Sequence, residues 1–279
     1  MDSSLTADVD AAIAALPEGS LKTHSLENME LFHKYYPLIS EDIWKKSEKY
    51  DEQVSSFYAK TDDGKLMAKG VGQLPFKPEK VMKFYEKIEN KPLFDEYFSE
   101  GKVIDSVLDK DHNCEFFYTY TRRGNLPVVK DRDFVANLTR FKHGDKILIV
   151  AHSVDHPDYP ENKDAVRASV DFLISEFAPG PEGKGCIFTR VFKANPKGAI
   201  PEMIKNLIIK RSGQEMVDLR KAMLEWIVIL QVNFNKSHQL SIRVAIIWFR
   251  FMVSSNTISI KNLISSGLRK SLSSRFSNA

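Results

Sequence analysis

Between residues 102 and 193 the chain repeats one pattern: a stretch of partly alternating apolar and polar residues, then a short run rich in Gly, Pro, Asn or Asp. Successive side chains of a strand point to opposite faces, so alternation bounded by turn residues predicts strands. Six are predicted here, at 102–109, 115–122, 132–141, 146–154, 166–177 and 185–193. The third and fourth flank the turn signal Lys142-His143-Gly144-Asp145 and form a central hairpin, followed by a His/Pro/Asp-rich loop to Pro160. At this length and spacing the strands predict one large, curved antiparallel sheet. Phe116, Phe117, Tyr118 and Tyr120 put bulky rings on both faces of one strand, so one face is expected to pack on a helix and the other to line a cavity.

The flanks carry a different period. Leu26, Met29, Phe32 and His33 share a helical face after a capping Ser25, until Pro37 stops the pattern. Three short strands follow at 44–50, 54–60 and 65–74, the last two joined through Asp62-Asp63-Gly64, with Trp44 as a core anchor. A helix is predicted over 78–89 from Val81, Phe84, Tyr85 and Ile88, and another helical turn over 93–98. Beyond the sheet, the turn Asn195-Pro196-Lys197-Gly198 leads into a long helix that starts at Pro201 and runs to Met223. Ser212-Gly213 interrupts it, at a cost of about 1 kcal/mol for the glycine relative to Ala. Two readings stand: a tolerated surface glycine, or a bend that lets the helix move.

Composition adds limits. In 279 residues, 43% hydrophobic and 28% charged, an ordinary soluble core is available, and a net charge of +3 does not point to nucleic acid. The charge is uneven, however. From Leu224 onward Glu225 is the one acid against seven basic residues, while the part before it is slightly acidic. That shift divides the chain into a flexible segment 1–24, a folded domain 25–223 and a basic extension 224–279. The apolar runs at 224–234 and 242–253 fall short of the roughly 20 residues that a bilayer span needs, and the last part is Ser/Asn-rich and expected to be disordered. The acidic N-terminus does not read as a secretory signal, which predicts a cytoplasmic protein, at most peripheral to membranes. Cys114 and Cys186 are predicted to be reduced and buried.

Motifs for chemistry are missing. Seven histidines form neither an H-E-x-x-H nor a Cys/His metal pattern, and there is no G-x-S-x-G, Walker or G-x-G-x-x-G sequence. No catalytic residue, metal or cofactor is predicted. An acid/base set would have to be drawn from Glu115, Tyr118 and His152, which alternation alone does not bring together.

The order of elements, with Arg132-Asp133-Phe134-Val135 opening a strand, Val154-Asp155-His156-Pro157 closing the next, Val166-Arg167-Ala168, Asn195-Pro196-Lys197-Gly198 with Ile200-Pro201, and Trp44-Lys45-Lys46, resembles the START (StAR-related lipid-transfer) family over residues 25–223. The resemblance implies an α+β helix-grip fold: a curved antiparallel sheet around a long C-terminal helix, with a tunnel that holds one lipid. It implies that the last helix and the loop after the seventh strand gate the tunnel. Phe117, Thr119, Phe134, Ala136 and Leu138 on the sheet, with Met203 and Leu207 on the helix, are the lipid-binding residues it implies. Sterol-binding members carry an acid and an arginine where this chain has Thr119 and Leu138, so a phospholipid or other acyl-chain lipid is favoured over a sterol. Ala199 stands where the family has tryptophan. Arg132 and Arg167 are expected to hold carboxylates or carbonyls. The implied protein is a monomer that meets membranes transiently. A helix-grip enzyme acting on a hydrophobic small molecule is the alternative reading, and a membrane-docked sensor acting through the tail is a third.

Overall fold

The alternating segments do form a single antiparallel sheet. A computed structural model describes residues 6–61, 64–124, 129–198 and 202–234, with side chains of the last helix described over 209–227. Ten strands are present among them: β1 (Lys45–Lys49), β2 (Val54–Lys60), β3 (Leu66–Leu74), β4 (Phe98–Asp109), β5 (Cys114–Arg123), β6 (Arg132–His143), β7 (Lys146–Ser153), β8 (Val166–Arg167), β9 (Ser169–Pro179) and β10 (Cys186–Asn195). Their order across the sheet is β1-β2-β3-β10-β9-β7-β6-β5-β4, and the short β8 pairs parallel with β6. The predicted strand at 166–177 is thus two strands. In β8, Arg167 lies beside Asp133 of β6 and clamps its carboxylate through two hydrogen bonds of 3.1 Å, and the chain turns into β9 only after it.

Each face of the sheet has its own core. One face is covered by α1 (Ala7–Ala15) and α2 (Ser20–Tyr35): Val9, Ile13, Met29 and Phe32 pack with Phe116, Phe141, Leu148, Val150 and Phe172. The other face meets α3 (Pro78–Glu86) and the long helix α4 (Glu202–Phe234), with Val81, Tyr85, Ile149, Phe177, Phe188, Met216 and Leu219 in contact. The chain divides into two compact units, Met1–Met223 and Leu224–Ala279. Among the described residues no helix is long and apolar enough to cross a membrane.

Several expectations change. The segment 6–24, expected to be loose or weakly helical, is helical and packed: α1 buries Val9, Ala12 and Ile13, a three-residue stripe diluted in sequence by surrounding alanines. Ser25 is not a cap but lies inside α2, its hydroxyl donating to the Leu21 carbonyl at 2.7 Å. The buried stripe of α2 is Ser25, Asn28, Met29 and Phe32, and Leu26 is exposed. A polar residue displaces Leu26 from the sheet because Asn28 finds partners there: its amide donates to Asn137 Oδ1 (2.7 Å) and Thr139 Oγ1 (3.1 Å), and its carbonyl lies 2.7 Å from His152 Nδ1. The stretch expected as helical turns at 93–98 ends instead in the start of β4, after a 3-10 turn at Ile88–Leu93.

The reading of Gly213 as a surface glycine does not hold. Helix α4 runs unbroken through it, and the residue is buried. A Cβ there would sit 2.4 Å from the Tyr50 ring. Opposite, a Cβ on Gly70 of β3 would sit 2.1 Å from the Ser212 carbonyl oxygen, and one on Gly72 would press on Met216. At Gly70 the strand runs too close to the α4 backbone for any side chain, while Gly72 and Gly213 leave room for the Met216 side chain and the Tyr50 ring. The Ser212 hydroxyl, bonded to the Ile209 carbonyl at 2.7 Å, completes this flat contact.

Candidate functional site

Between the sheet and helices α3 and α4 lies a cavity with about 280 Å³ of room for the centres of water-sized molecules. Strand alternation supplies its wall. On β5 the inward positions are Phe117, Thr119, Thr121 and Arg123; on β6 they are Arg132, Phe134, Ala136 and Leu138. The two sets face each other in register, with Phe117 opposite Leu138, Thr119 opposite Ala136 and Thr121 opposite Phe134. Ile149 and Ala151 of β7, Leu173 of β9 and Phe192 of β10 continue the surface. All five sheet residues singled out in the sequence therefore line one cavity. Met203 and Leu207 belong to α4 where its side chains lie outside the described residues.

The wall is not purely apolar. Arg190 of β10 and Glu215 of α4 form an ion pair of 2.5 Å in which both side chains are under one-tenth exposed. Arg190 also donates to the Tyr85 hydroxyl at 3.0 Å. Burial works against the charge on Arg190, but Glu215 and Tyr85 outweigh it and hold the guanidinium protonated. Nearby, Asp95 pairs with Arg123 at 2.7 Å. Burial alone would raise its pKa, yet Arg123, then Lys91, Arg211 and Arg190, hold it below the usual carboxylate value. Arg140, farther along β6, bridges Glu86 (2.6 Å) and Glu115 (2.5 Å); burial keeps the Glu86 carboxyl above its usual pKa in spite of that pairing.

Sequence reasoning missed Arg190, Glu215 and Ser175, and a signal for two of them was present. Arg190 shares its strand parity with Cys186, Phe188 and Phe192, and Ser175 shares its own with Leu173 and Phe177. A polar residue on an otherwise apolar face is a sign of a buried polar site. Arg132 and Arg167 behave as expected: Arg132 donates to the carbonyls of Lys130, Pro196 and Lys197, tying the start of β6 to the turn before α4, and Arg167 holds Asp133 and the carbonyls of Tyr159 and Pro160.

The loop after β7 lays its rings on the face of β5 that points away from the cavity. Across residues 155–160, His156 packs on Tyr118 with ring centres 5.2 Å apart and Tyr159 stacks on Tyr120 at 5.1 Å. Both tyrosines are on the outward face of β5, shared with α2, where the Tyr118 hydroxyl lies 3.1 Å from His24 Nδ1. The loop is held there by its rings. The same parity separates the three acid/base candidates. Glu115 lies on the cavity parity of β5, paired with Arg140, while Tyr118 and His152 lie on the opposite face, His152 between Asn28 and Glu27. Cys114 and Cys186 are free and buried, and burial pushes both thiols up to about 12. No group of His, Cys, Asp and Glu able to hold a metal is found among the described residues.

Solved structures share this architecture. Human StAR-related lipid transfer protein 5 superposes with a TM-score of 0.66 at 16% identity, covering 74% of this chain and 99% of that one. Human STARD10 gives 0.62 at 22% identity, over 74% of this chain and 84% of that one. In sequence, START domain-containing protein 10 of Homo sapiens and of Mus musculus is 33% identical over 90 residues, 31% of this chain and 29% of each relative's length. The START domain model matches residues 27–226. With that span, and a curved antiparallel sheet gripped by a C-terminal helix, the chain belongs to the START domain family.

Proposed function

We propose that the chain binds a single lipid in the cavity between the sheet and α4, and carries it between membranes or senses it. The carrying observation is the register of β5 against β6, which lays Phe117, Thr119, Phe134, Ala136 and Leu138 along one continuous wall. Enclosing acyl chains there supplies the driving force: each buried methylene contributes ~0.8 kcal/mol, and no bond needs to be made or broken. A lipid with acyl chains, such as a phospholipid, suits the β5–β6 part of this wall better than a sterol, because Thr119 and Leu138 place no charged pair there for a sterol hydroxyl. Met203 and Leu207 of α4 are proposed to close over the chains, with residues 25–223 as the lipid-binding unit of a monomeric, cytoplasmic protein whose contact with membranes is transient.

Purified protein extracted with organic solvent is expected to release one class of lipid by mass spectrometry and to move fluorescent phosphatidylcholine between vesicles. Leu138→Arg, which sets an unpaired charge on the wall, is expected to abolish transfer. Protein that is consistently empty and exchanges no lipid between vesicles overturns the reading.

A further inference from the structure

One feature of the cavity wall has more hydrogen-bonding capacity than the protein uses. Arg190 and Ser175 are direct partners across the β10–β9 ladder, and both line the cavity. Five N–H bonds are available on a guanidinium. Arg190 Nη1 serves Glu215 and Tyr85, yet Nε is buried with no partner among the described residues. The Ser175 hydroxyl is likewise buried and without a partner. The Tyr85 hydroxyl accepts from Arg190, which leaves its own proton to donate. A buried polar group left unpaired costs about 1–3 kcal/mol, so two on adjacent strands of one cavity wall call for an explanation beyond packing.

Charge narrows the partner. Glu215 already neutralises Arg190, so the pair as a whole is uncharged. A phosphate or carboxylate brought against it would stand beside the Glu215 carboxylate without a free countercharge from Arg190. What the site lacks is an oxygen that accepts hydrogen bonds and carries no charge. We propose that Arg190, Ser175 and Tyr85 form a subsite for an uncharged acceptor oxygen of the lipid, an ester carbonyl or a hydroxyl, fixing how deep the ligand sits while the apolar wall takes its chains. Ser175 adapts by rotating one bond, and Glu215 keeps Arg190 in place from α4. The subsite rests on the lipid-binding reading and adds to it a selectivity that chain burial alone does not produce.

The test compares three probes presented in vesicles to the full chain: dioleoyl phosphatidylcholine, its dialkyl ether counterpart, which lacks the carbonyls, and cholesterol, which supplies a hydroxyl. Wild-type protein is expected to prefer the ester over the ether about three- to tenfold, the worth of one hydrogen bond. Ser175→Ala is expected to bring the two within about twofold. If the oxygen is a hydroxyl, cholesterol uptake falls by a similar factor in Ser175→Ala while the two phosphatidylcholines stay equal, which also supports the subsite. Ser106→Ala, at an exposed position of β4 outside the cavity lining, serves as the control. Uptake of all three probes unchanged by Ser175→Ala, or an ester preference that the variant retains, overturns the subsite and leaves lipid binding standing. Uptake of none of the probes by wild-type protein overturns both.

Discussion

Replacing Gly70 by alanine tests whether the seat of α4 is as tight as it looks. The added Cβ would lie 2.1 Å from the Ser212 carbonyl oxygen, 2.8 Å from its carbon and 3.0 Å from Met216 Cε. Ordinary contacts fall at about 3.5–4.0 Å between carbons, so the overlap is roughly 1 Å or more. The obstacle is backbone in the middle of a helix, which cannot swing aside. Helix α4 is also pinned from its other small residue, since Gly213 already rests on the Tyr50 ring. Overpacking costs about 1–3 kcal/mol, and a backbone clash belongs at the upper end. Alanine would otherwise be favoured over glycine in a strand by about 0.5–1 kcal/mol, so a net loss of about 2 kcal/mol is expected. At about 2–4 °C per kcal/mol for a domain of this size, Gly70→Ala should melt roughly 4–8 °C below wild type, with faster hydrogen exchange across α4. Gly101→Ala is the control: the nearest atoms to a Cβ there are those of the Phe98 ring, at 2.9 Å, and the Tyr120 carbonyl oxygen at 3.3 Å. Rotation of the ring relieves the closer contact. A Gly70→Ala protein that melts with wild type, or above it, refutes the close-approach argument.

Asn28→Ala removes the polar junction between α2 and the sheet and is expected to cost about 1–3 kcal/mol in urea unfolding, with lipid exchange by the folded protein unchanged because the junction is on the far face; an unaltered midpoint counts against it. The thiols of Cys114 and Cys186, held near 12 by burial, should stay unmodified by a thiol reagent at pH 8 in the native protein and react on unfolding. An unfolded thiol ionises near 9, so their contribution to stability is present below that pH and is lost as pH climbs towards 12. Rapid native labelling of either contradicts this.

The sheet was legible because alternation is a local property. Phe117, Thr119 and Thr121 share a face by chain geometry alone, and the turn at Gly144 sets which residues of β6 and β7 meet. Resemblance to a family then placed Leu138 and Thr119 opposite a helix. What escaped are contacts between distant segments. Arg190 and Glu215 are separated by a turn and half a helix, and neither strand parity nor helical period brings them together. The face of α2 was misassigned for the same reason: hydrophobicity chose Leu26, whereas the partners that bury Asn28 are more than a hundred residues away, in Asn137 and Thr139. Gly213 looked like a weak point in a helix because the Tyr50 ring it accommodates comes from another element. The ring-held loop at 155–160 was assigned to the cavity by analogy, and its aromatic partners lie on the other side of the strand.

Two cores set back to back on one sheet have a consequence for how such a protein changes over generations. Neighbouring positions along β5 or β6 answer to different demands: Phe116 and Val135 sit in the solid packing under α1 and α2 or beside it, Phe117 and Ala136 face the hollow. A substitution at a hollow-facing position alters what fits without disturbing the packing on the reverse side. Cargo preference can therefore drift one residue at a time, while selection for a folded chain acts mainly on the residues in between.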